Sequence, residues 1–301
     1  METILIDNFE EIKKIDDLIC TIGAYDGIHQ GHKKIFQTMK DIKTNQEKMA
    51  VVTFNFHPDF LLNKRGYDGK LENFEEKSIV LAKYGFDYLI VLNTTKELLN
   101  KTYIEFNQIL KALGAKKIVV GEDFKYGYKG LGNCKTLKVD FQTTVVKLAL
   151  DENEEKISSN HIRLLLEEGK VEEILRYTGS YYKIIGKVTY GKKIGSTIGF
   201  PTANIPLSFT KIRFGVYAVR VLFEDKVYIG IANAGTNPTI GDNIKPLLEV
   251  NIFDFDKDIY GKVIEVELLE FVRDQKRFEN IDDLRKQIAL DKEYIKNKYR
   301  E

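Results

Sequence analysis

Two histidines three residues apart, His29 and His32, lie in the stretch of the sequence that offers the clearest chemistry. Residues 21–32 read T-I-G-A-Y-D-G-I-H-Q-G-H, and the glycines fall where an apolar strand-like run should become a helix. Two imidazoles and the amide groups of a helix start could converge there on one anion. The stretch therefore predicts a phosphate site, with a glycine-rich turn carrying structural histidines as the alternative.

A second glycine-rich stretch, residues 190–204, reads Y-G-K-K-I-G-S-T-I-G-F-P-T-A-N. Its glycines permit a loop that wraps phosphates, and they are Gly191, Gly195 and Gly199. Thr202 and Asn204 offer oxygens for a magnesium ion. The stretch matches no Walker motif, and a glycine-rich β-turn explains the glycines without explaining the P-T-A-N that follows them.

The second half of the chain, after residue 180, contains no histidine, since all four lie before that residue. A phosphoryl transfer to an alcohol in that half would need a carboxylate as its base. Glu249 is the candidate because it is polar within the apolar run L-E-V-N-I. The alternative is a solvent-facing glutamate on an alternating strand.

Further polar loops follow other predicted strands of the first half. Asn55 lies in T-F-N-F-H-P, and residues 120–133 form a glycine-bearing loop that also leaves a strand. Residues 157–163 read I-S-S-N-H-I-R and open a helix that Ser158 or Ser159 can cap. Arg163 lies one turn into it, where a guanidinium could clamp a polyphosphate or simply face solvent.

The composition is that of a soluble globular protein of about two domains. The chain has 301 residues, of which 43% are hydrophobic and 30% charged, and its net charge is +1. Lysines are interspersed with acids, so no basic stripe for nucleic acid or membranes is expected. Neither a membrane span nor a signal peptide is indicated, which favours a cytosolic protein acting on small molecules. Cys20 and Cys134 are expected to be buried as small hydrophobes.

The first half alternates strand-like runs with helical patterns. The runs cover residues 18–23, 49–54, 87–92, 117–121 and 143–148. Residues 72–84 and 103–113 carry apolar residues at helical spacing and are each followed by a glycine. Alternating strands and helices predict a doubly wound parallel sheet, whose ligands bind at the carboxyl ends of the strands.

The second half changes to β-rich patterning. Residues 183–190, 215–223, 226–232, 247–253 and 263–271 alternate apolar with polar side chains, and residues 281–299 are helical in pattern. This spacing predicts an antiparallel sheet or small barrel followed by a helix. Gly179 ends a short helical pattern, so we expect one domain over residues 1–180 and another over 181–301.

These motifs resemble those of the prokaryotic bifunctional riboflavin kinase and FMN adenylyltransferase (FAD synthetase) family over nearly the whole chain. The family's nucleotidyltransferase motif G-x-x-D-G-x-H-x-G-H is met by Gly23, Asp26, Gly27, His29, Gly31 and His32. The kinase motif G-F-P-T-A-N is met in full at residues 199–204, and G-V-Y, N-P-T and Y-G follow at 215–217, 237–239 and 260–261. The resemblance implies an α/β fold: a Rossmann-like nucleotidyltransferase domain, then an antiparallel β-barrel with a terminal helix.

The resemblance also implies two reactions. In the barrel, ATP and magnesium would phosphorylate riboflavin to FMN; in the first domain, a second ATP would adenylylate FMN to FAD with release of pyrophosphate. Mg²⁺ would be the cofactor and ATP the co-substrate, with riboflavin and FMN as the other partners. Neither nucleic acid nor a membrane is implied, and the protein would be a monomer or a weak homo-oligomer.

Residue roles are implied by the same resemblance. His29 and His32 would stabilise the transferring α-phosphate, and Glu249 would be the base of the kinase. The implied nucleotide-binding residues are Gly23, Asp26, Gly31, Asn55, Ser158, Ser159 and Arg163 in the first domain, and Gly191, Gly195, Gly199, Thr202 and Asn204 in the barrel. Thr202 and Asn204 would also hold the metal, while Asp123, Phe124 and Arg273 would bind flavin.

Three positions depart from the family pattern. Ala24-Tyr25 replaces Asn or Ser followed by Phe, Asn160 replaces the Thr of I-S-S-T, and Asn251 stands where a His often follows the catalytic Glu by two. An amide cannot titrate as an imidazole can. Two alternatives to the bifunctional enzyme therefore stay open: a riboflavin kinase with a weakened first domain, and a flavin or nucleotide sensor without turnover.

Overall fold

The computed structural model describes residues 1–55, 71, 74–147, 157–191, 199–207, 212–236 and 246–299. The chain forms two compact units, one of Met1–Lys70 with Lys77–Asn160 and one of Leu71–Glu76 with His161–Glu301. The domain boundary expected at residue 180 stays a prediction. Within the described ranges, no helix combines the length and hydropathy needed to cross a membrane.

The first unit is built on a parallel sheet of six strands. In chain order they are β1 (Glu2–Ile6), β2 (Leu18–Ile22), β3 (Lys48–Phe54), β4 (Tyr88–Leu92), β5 (Ala115–Gly121) and β8 (Gln142–Val146), and they lie side by side as β1-β4-β3-β2-β5-β8. Every neighbouring pair is parallel. A short hairpin, β6 (Lys125–Tyr126) with β7 (Gly132–Asn133), follows β5.

Helices cover this sheet on both faces. They are α1 (Gln30–Ile42), α2 (Phe74–Ala82), α3 (Lys96–Asn100), α4 (Tyr103–Ala112) and α5 (Cys134–Asp140). Alternate residues of β2 belong to different apolar clusters, Cys20 to the one with Phe106 and Ile19 to the one with Phe36. A strand buried on both faces reads as a continuous apolar run, which is what the sequence of β2 shows.

The second unit is an antiparallel barrel with helices at its two chain ends. Its strands are β9 (Tyr182–Lys187), β10 (Ala203–Pro206), β11 (Gly215–Phe223), β12 (Lys226–Thr236), β13 (Pro246–Ile252) and β14 (Val263–Arg273), in the order β10-β13-β12-β11-β14-β9. A bridge between Thr189 and Asn204 joins the chain beyond β9 to β10, so the barrel is nearly closed. The helices are α6 (Ser159–Glu168), whose first two residues belong to the first unit, α7 (Val171–Thr178) and α8 (Ile281–Lys298).

Helix α8 packs on one face of the barrel. Its Ile295 is fully buried in a cluster with Val216, Ala218 and Ile231 of β11 and β12. Residues paired across antiparallel strands share a face, and Ile231 pairs with Asn251 of β13. The helix therefore covers the same face of the barrel that carries the polar side chains of β13.

The fold predicted from the sequence is confirmed in both halves: a parallel α/β sheet, then an antiparallel barrel with a terminal helix. Four strands went unpredicted: β1 at an edge of the first sheet, the two-residue strands β6 and β7, and β10, which begins with the last two residues of P-T-A-N. Cys20 is fully buried, as expected, whereas Cys134 is only half-buried. Burial raises the pKa of the Cys20 thiol to about 12. Such a thiol is not a nucleophile at neutral pH.

Candidate active sites

The glycine-bearing turn of the first unit is held in place through its backbone. The Gly23 N–H donates to the Val52 carbonyl at 3.1 Å, which ties the turn to the neighbouring strand β3. The Ala24 carbonyl accepts from Thr53 Oγ1 at 3.2 Å and from Lys77 Nζ at 2.5 Å. Side chains of two other elements therefore fix the path of the turn at the carboxyl end of β2.

The start of helix α1 lies directly after this turn. The Asp26 carbonyl accepts from Ser159 Oγ at 2.6 Å, and α1 begins at Gln30 with His29 as its N-cap residue. His29 makes no side-chain capping hydrogen bond. Because the first amide groups of a helix have no partner within it, this end presents N–H donors and a positive dipole end to an anion.

The two predicted histidines are brought together. The rings of His29 and His32 are stacked, with centroids 3.7 Å apart and planes at 20°. His29 is 7% exposed, whereas His32 is half-buried. Both imidazoles thus lie together at the start of α1.

Tyr25 supports His32 from the other side. Its ring meets the His32 ring edge-on at 4.9 Å, and its hydroxyl hydrogen-bonds to the buried Thr21 hydroxyl. Tyr25 has a φ of 46°, a left-handed conformation that is uncommon for a bulky residue. An added Cβ at Gly23 would lie 2.9 Å from the Tyr25 ring. Gly23 is therefore required by the packing of this aromatic ring, besides any contact with a ligand.

In the barrel, strand register assembles a row of polar side chains. Glu249 of β13 pairs with Asn204 of β10 on one side and with Asn233 of β12 on the other. Paired residues of antiparallel strands point to the same face, so the three side chains are neighbours. Asn233 Nδ2 donates to Glu249 Oε2 at 3.3 Å. The candidate base and a candidate metal ligand therefore sit on one face of the sheet.

Asn204 carries a polar atom suited to a cation. It is 4% exposed, and its Oδ1 atom has no hydrogen-bond partner among the described residues. Gly191 lies against it, since a Cβ at that position would be 2.4 Å from Asn204 Nδ2. A buried amide oxygen without a donor is costly unless something binds it, and amide oxygens suit Mg²⁺. Asn204 therefore fits the magnesium ion implied by the sequence.

Few protein ligands surround this position. Among the described residues, no group of three or more His, Cys, Asp or Glu side chains is arranged to hold a metal ion. Mg²⁺ keeps several waters and commonly takes the rest of its ligands from substrate phosphates.

A cavity of about 250 Å³ adjoins Thr202. Its apolar walls include Val188, Ile252 and Ile259, and its polar rim includes Asp256 and Asp258. Apolar walls with a few polar groups are typical of small-molecule pockets. Thr202 lines this cavity, and Asn204 of the polar row lies two residues farther along the chain.

Two family models match the chain, one half each. The model described as FAD synthetase matches residues 11–161, and the model described as riboflavin kinase matches residues 178–299. A bifunctional riboflavin kinase/FMN adenylyltransferase of Buchnera aphidicola is 35% identical, over 95% of this chain and 95% of its own. The protein of the same description from Bacillus subtilis is 35% identical over 91% of this chain and 90% of its own.

The chain belongs to the bifunctional riboflavin kinase/FMN adenylyltransferase family. The family and the pair of activities predicted from the sequence are therefore confirmed. A solved structure described as "Crystal Structure of Macrolide-efflux Protein from Streptococcus pneumoniae" superposes with a TM-score of 0.86, at 33% identity and 99% coverage of both chains. Its description names another activity, whereas both family models and the curated relatives name flavin enzymes; the likeness establishes a shared fold over the whole chain.

Two further residues implied by the family resemblance, Asn55 and Phe124, make contacts within the first unit. Asn55 lies at the end of β3 as expected, but its amide is tied to the end of β4: it donates to Asn93 Oδ1 and accepts from the Thr94 N–H, both at 2.8 Å. Phe124 stacks on Tyr126 at 5.4 Å, beside the first core. Their roles in binding stay predictions.

Three more predicted residues lie close to α6 or β5. Ser158 is half-buried just before the helix begins, and Arg163 is 7% exposed and belongs to the second unit. Asp123 is exposed in the turn after β5. Their contacts with nucleotide or flavin stay predictions, as does the effect of Asn160, which is exposed in the first turn of α6.

Arg273 of the barrel is engaged by the terminal helix. Its guanidinium forms an ion pair of 2.7 Å with Asp291 of α8, whose side chain is 5% exposed. Gln287 Nε2 also donates to this carboxylate, at 2.8 Å. In the structure Arg273 joins β14 to α8, and a role beside flavin stays a prediction. Gly199 is exposed with a φ of 85°, while Gly195 and the N-P-T at 237–239 lie outside the described residues.

Two residues near Glu249 were missed by sequence reasoning. Asn233 donates to Glu249, and Gln275 Nε2 donates to Asn233 Oδ1 at 3.0 Å. Asn233 stands in the run I-A-N-A-G, where a polar residue between small apolar ones could have drawn attention as Glu249 did. No local pattern marks Gln275, because its partners are about 40 residues away and only the fold brings them together.

Proposed function

We propose that the two activities of the family are divided between the two units. The first unit would transfer the adenylyl group of ATP to FMN and release pyrophosphate, and the barrel would transfer the γ-phosphoryl group of ATP to riboflavin. The observation that carries this division is that each unit has its own phosphate-binding features: the stacked pair His29 and His32 at a helix start, and the row Asn204, Glu249 and Asn233 in the barrel.

In the first unit, the chain's own groups would act on the α-phosphate. The N-terminal amides of α1 would bind its oxygens, and His29 and His32 would neutralise charge as the adenylyl group moves from pyrophosphate to the FMN phosphate. Tyr25 and Gly23 would hold His32 in place. No covalent enzyme intermediate is needed, because the FMN phosphate is itself the nucleophile.

In the barrel, Glu249 would accept the proton of the riboflavin hydroxyl as the phosphoryl group arrives. Asn204 and Thr202 would hold Mg²⁺, which when bound neutralises phosphate charge on ATP. The cavity beside Thr202 would take the nucleoside part of ATP, since its apolar walls suit a flat base. Positioning and charge neutralisation would supply most of the rate, with the base adding about 10²–10⁴-fold.

The proposal also covers the partners of the protein, its location in the cell and its oligomeric state. Riboflavin, FMN and ATP would be the only partners required, and the protein would work in the cytosol as a monomer or weak homo-oligomer. The near-neutral net charge of +1 supports a protein without nucleic-acid or membrane partners. Cell fractionation and sedimentation of the purified protein test these two properties separately.

A reciprocal pair of variants tests the division of labour. The protein is incubated with ATP, Mg²⁺ and either riboflavin or FMN, and the flavins are separated by chromatography. His32→Ala should abolish FAD formation and leave FMN formation intact, because it touches only the helix-start site. Glu249→Gln should do the reverse when FMN is supplied.

Four results would oppose the proposal in different ways. Loss of both activities in either variant would contradict independent sites. Robust FMN formation with no FAD from supplied FMN would favour the kinase with a weakened first domain, in line with Asn160. Tight flavin binding with neither product would favour the sensor, and omission of Mg²⁺ without effect on FMN formation would remove the metal role of Asn204.

A further inference from the structure

A line of hydrogen-bonded side chains leads from the barrel surface to Glu249. Gln275 Nε2 donates to Asn233 Oδ1 at 3.0 Å, and Asn233 Nδ2 donates to Glu249 Oε2 at 3.3 Å. We propose that Gln275, acting through Asn233, positions the Glu249 carboxylate to accept the substrate proton. The proposal rests on the role of Glu249 as base given above, and it makes Gln275 and Asn233 positioning residues.

The direction of each hydrogen bond in this line is fixed from one end. Gln275 Nε2 also donates to the Ala234 carbonyl at 3.2 Å, and a carbonyl can only accept. The Gln275 nitrogen therefore faces both Ala234 and Asn233, which turns the Asn233 oxygen toward it. The Asn233 NH₂ group then faces Glu249. This network determines which way the Asn233 side-chain amide is turned. Without Gln275, the amide could flip and place its oxygen, instead of its NH₂ group, against the Glu249 carboxylate.

Gly235 makes room for the Gln275 amide. An added Cβ at this position would lie 2.2 Å from Gln275 Nε2. The contact is with the far end of an exposed, flexible side chain, so an alanine would expel the amide without disturbing strand β12. The line thus has a steric requirement as well as its hydrogen bonds, and the two can be broken separately.

The line restrains the Glu249 carboxylate. Donation from Asn233 holds one carboxylate oxygen, Oε2, and so leaves the other oxygen to face the substrate hydroxyl. Loss of the line should lower kcat more than it raises KM for riboflavin, because misorientation of a base affects the reacting geometry rather than binding.

Three variants and one matched control test the proposal in the full-length protein. Gln275→Ala and Gln275→Glu change the hydrogen bonds, Gly235→Ala expels the amide, and Lys276→Ala alters the next residue of the same exposed segment. FMN formation is measured as kcat and KM between about pH 5 and pH 9, the range that reports an essential base. FAD formation from supplied FMN and thermal unfolding check that the chain remains folded.

The expected results separate positioning from a merely structural role. Gln275→Ala and Gly235→Ala should lower kcat for FMN formation about tenfold with KM changed less than about twofold. Gln275→Glu should lower kcat at least as much, because a carboxylate cannot donate to either the Asn233 oxygen or the Ala234 carbonyl. Lys276→Ala should leave both quantities and the profile unchanged.

Several results would overturn the inference. The inference fails if the Gln275 and Gly235 variants have the same kcat and pH profile as Lys276→Ala. It also fails if these variants change only KM. Glu249→Gln distinguishes this failure from that of the proposed function. If Glu249→Gln retains FMN formation, the base role fails and the positioning role with it; if it is inactive while the Gln275 variants behave as the control, only the positioning role fails.

Discussion

The two candidate sites are assembled in opposite ways. In the first unit, His29, His32 and Tyr25 come from one strand-to-helix turn, and neighbouring elements hold that turn through its carbonyls. In the barrel, Asn204 and Glu249 come from strands some 45 residues apart and meet only because β10 pairs with β13. A site within one turn depends on local backbone conformation, whereas a site across strands depends on register and on what covers the sheet face.

Each site also contains a glycine that is required by packing against a functional side chain. Gly23 lies against the Tyr25 ring, and Gly191 lies against the Asn204 amide. The two contacts differ in which group would have to move. The Tyr25 ring is buried and anchored by its hydroxyl, whereas the Asn204 amide is the end of a short side chain on β10, which pairs with β13. The same substitution at both positions therefore compares the two modes of assembly directly.

The largest effect is expected from alanine at these glycines. Gly191→Ala would displace Asn204, and Gly23→Ala would displace Tyr25 and with it His32. Each should lower the activity of its own unit about 100-fold, as loss of a metal ligand or of a phosphate-stabilising group does, and leave the other activity unchanged. FMN formation and FAD formation are measured on the same preparation, so each unit is the control for the other. A loss of both activities from Gly23→Ala would mean that the turn supports the whole chain rather than one site.

This contrast also explains how much the sequence could predict. The turn at residues 21–32 was found because its chemistry is contiguous and its glycines punctuate a strand and a helix. The parallel sheet and the barrel followed from the spacing of apolar residues, since burial imposes that spacing. Strand β10 was missed because its asparagine and its proline are typical of a loop, and β1 because an edge strand is only partly buried.

What the sequence could not predict is which distant residues meet. Glu249 was selected for its type and its apolar context, but its pairing with Asn204 and Asn233 depends on register, which no local pattern specifies. Asn55 shows the converse, since its position at the carboxyl end of β3 was predicted while its bonds to Asn93 and Thr94 were not. The contacts of a residue are set by partners that the fold selects.

A smaller effect is expected from Asn251, which holds the segment before β10. Its Nδ2 atom donates to the Pro201 carbonyl at 2.7 Å, and its side chain is 7% exposed. Asn251→Ala would free the peptide that precedes Thr202, so KM for ATP in FMN formation should rise about fivefold, the equivalent of about 1 kcal/mol. Asn251→His, which can also donate to the carbonyl, should restore most of the affinity. An alanine variant with an unchanged KM for ATP would show that register alone fixes Thr202.

The smallest effect is expected at the helix that covers the barrel face, where Glu270 anchors the end of α8. Burial raises the pKa of Glu270, but hydrogen bonds from Lys298, Tyr294 and Tyr299 outweigh it and leave the pKa below its usual value. A carboxyl group with a lowered pKa stabilises the fold fully above its unfolded pKa of about 4.3, and that contribution is lost as the pH falls through the folded pKa. The opening free energy of α8, measured by hydrogen exchange, should therefore drop by up to about 1 kcal/mol between about pH 6 and pH 3.5. Glu270→Gln should flatten this dependence, while Glu279→Gln, at an exposed site, should not. Equal pH dependence in both variants would mean that Glu270 does not anchor the helix that covers this face of the barrel.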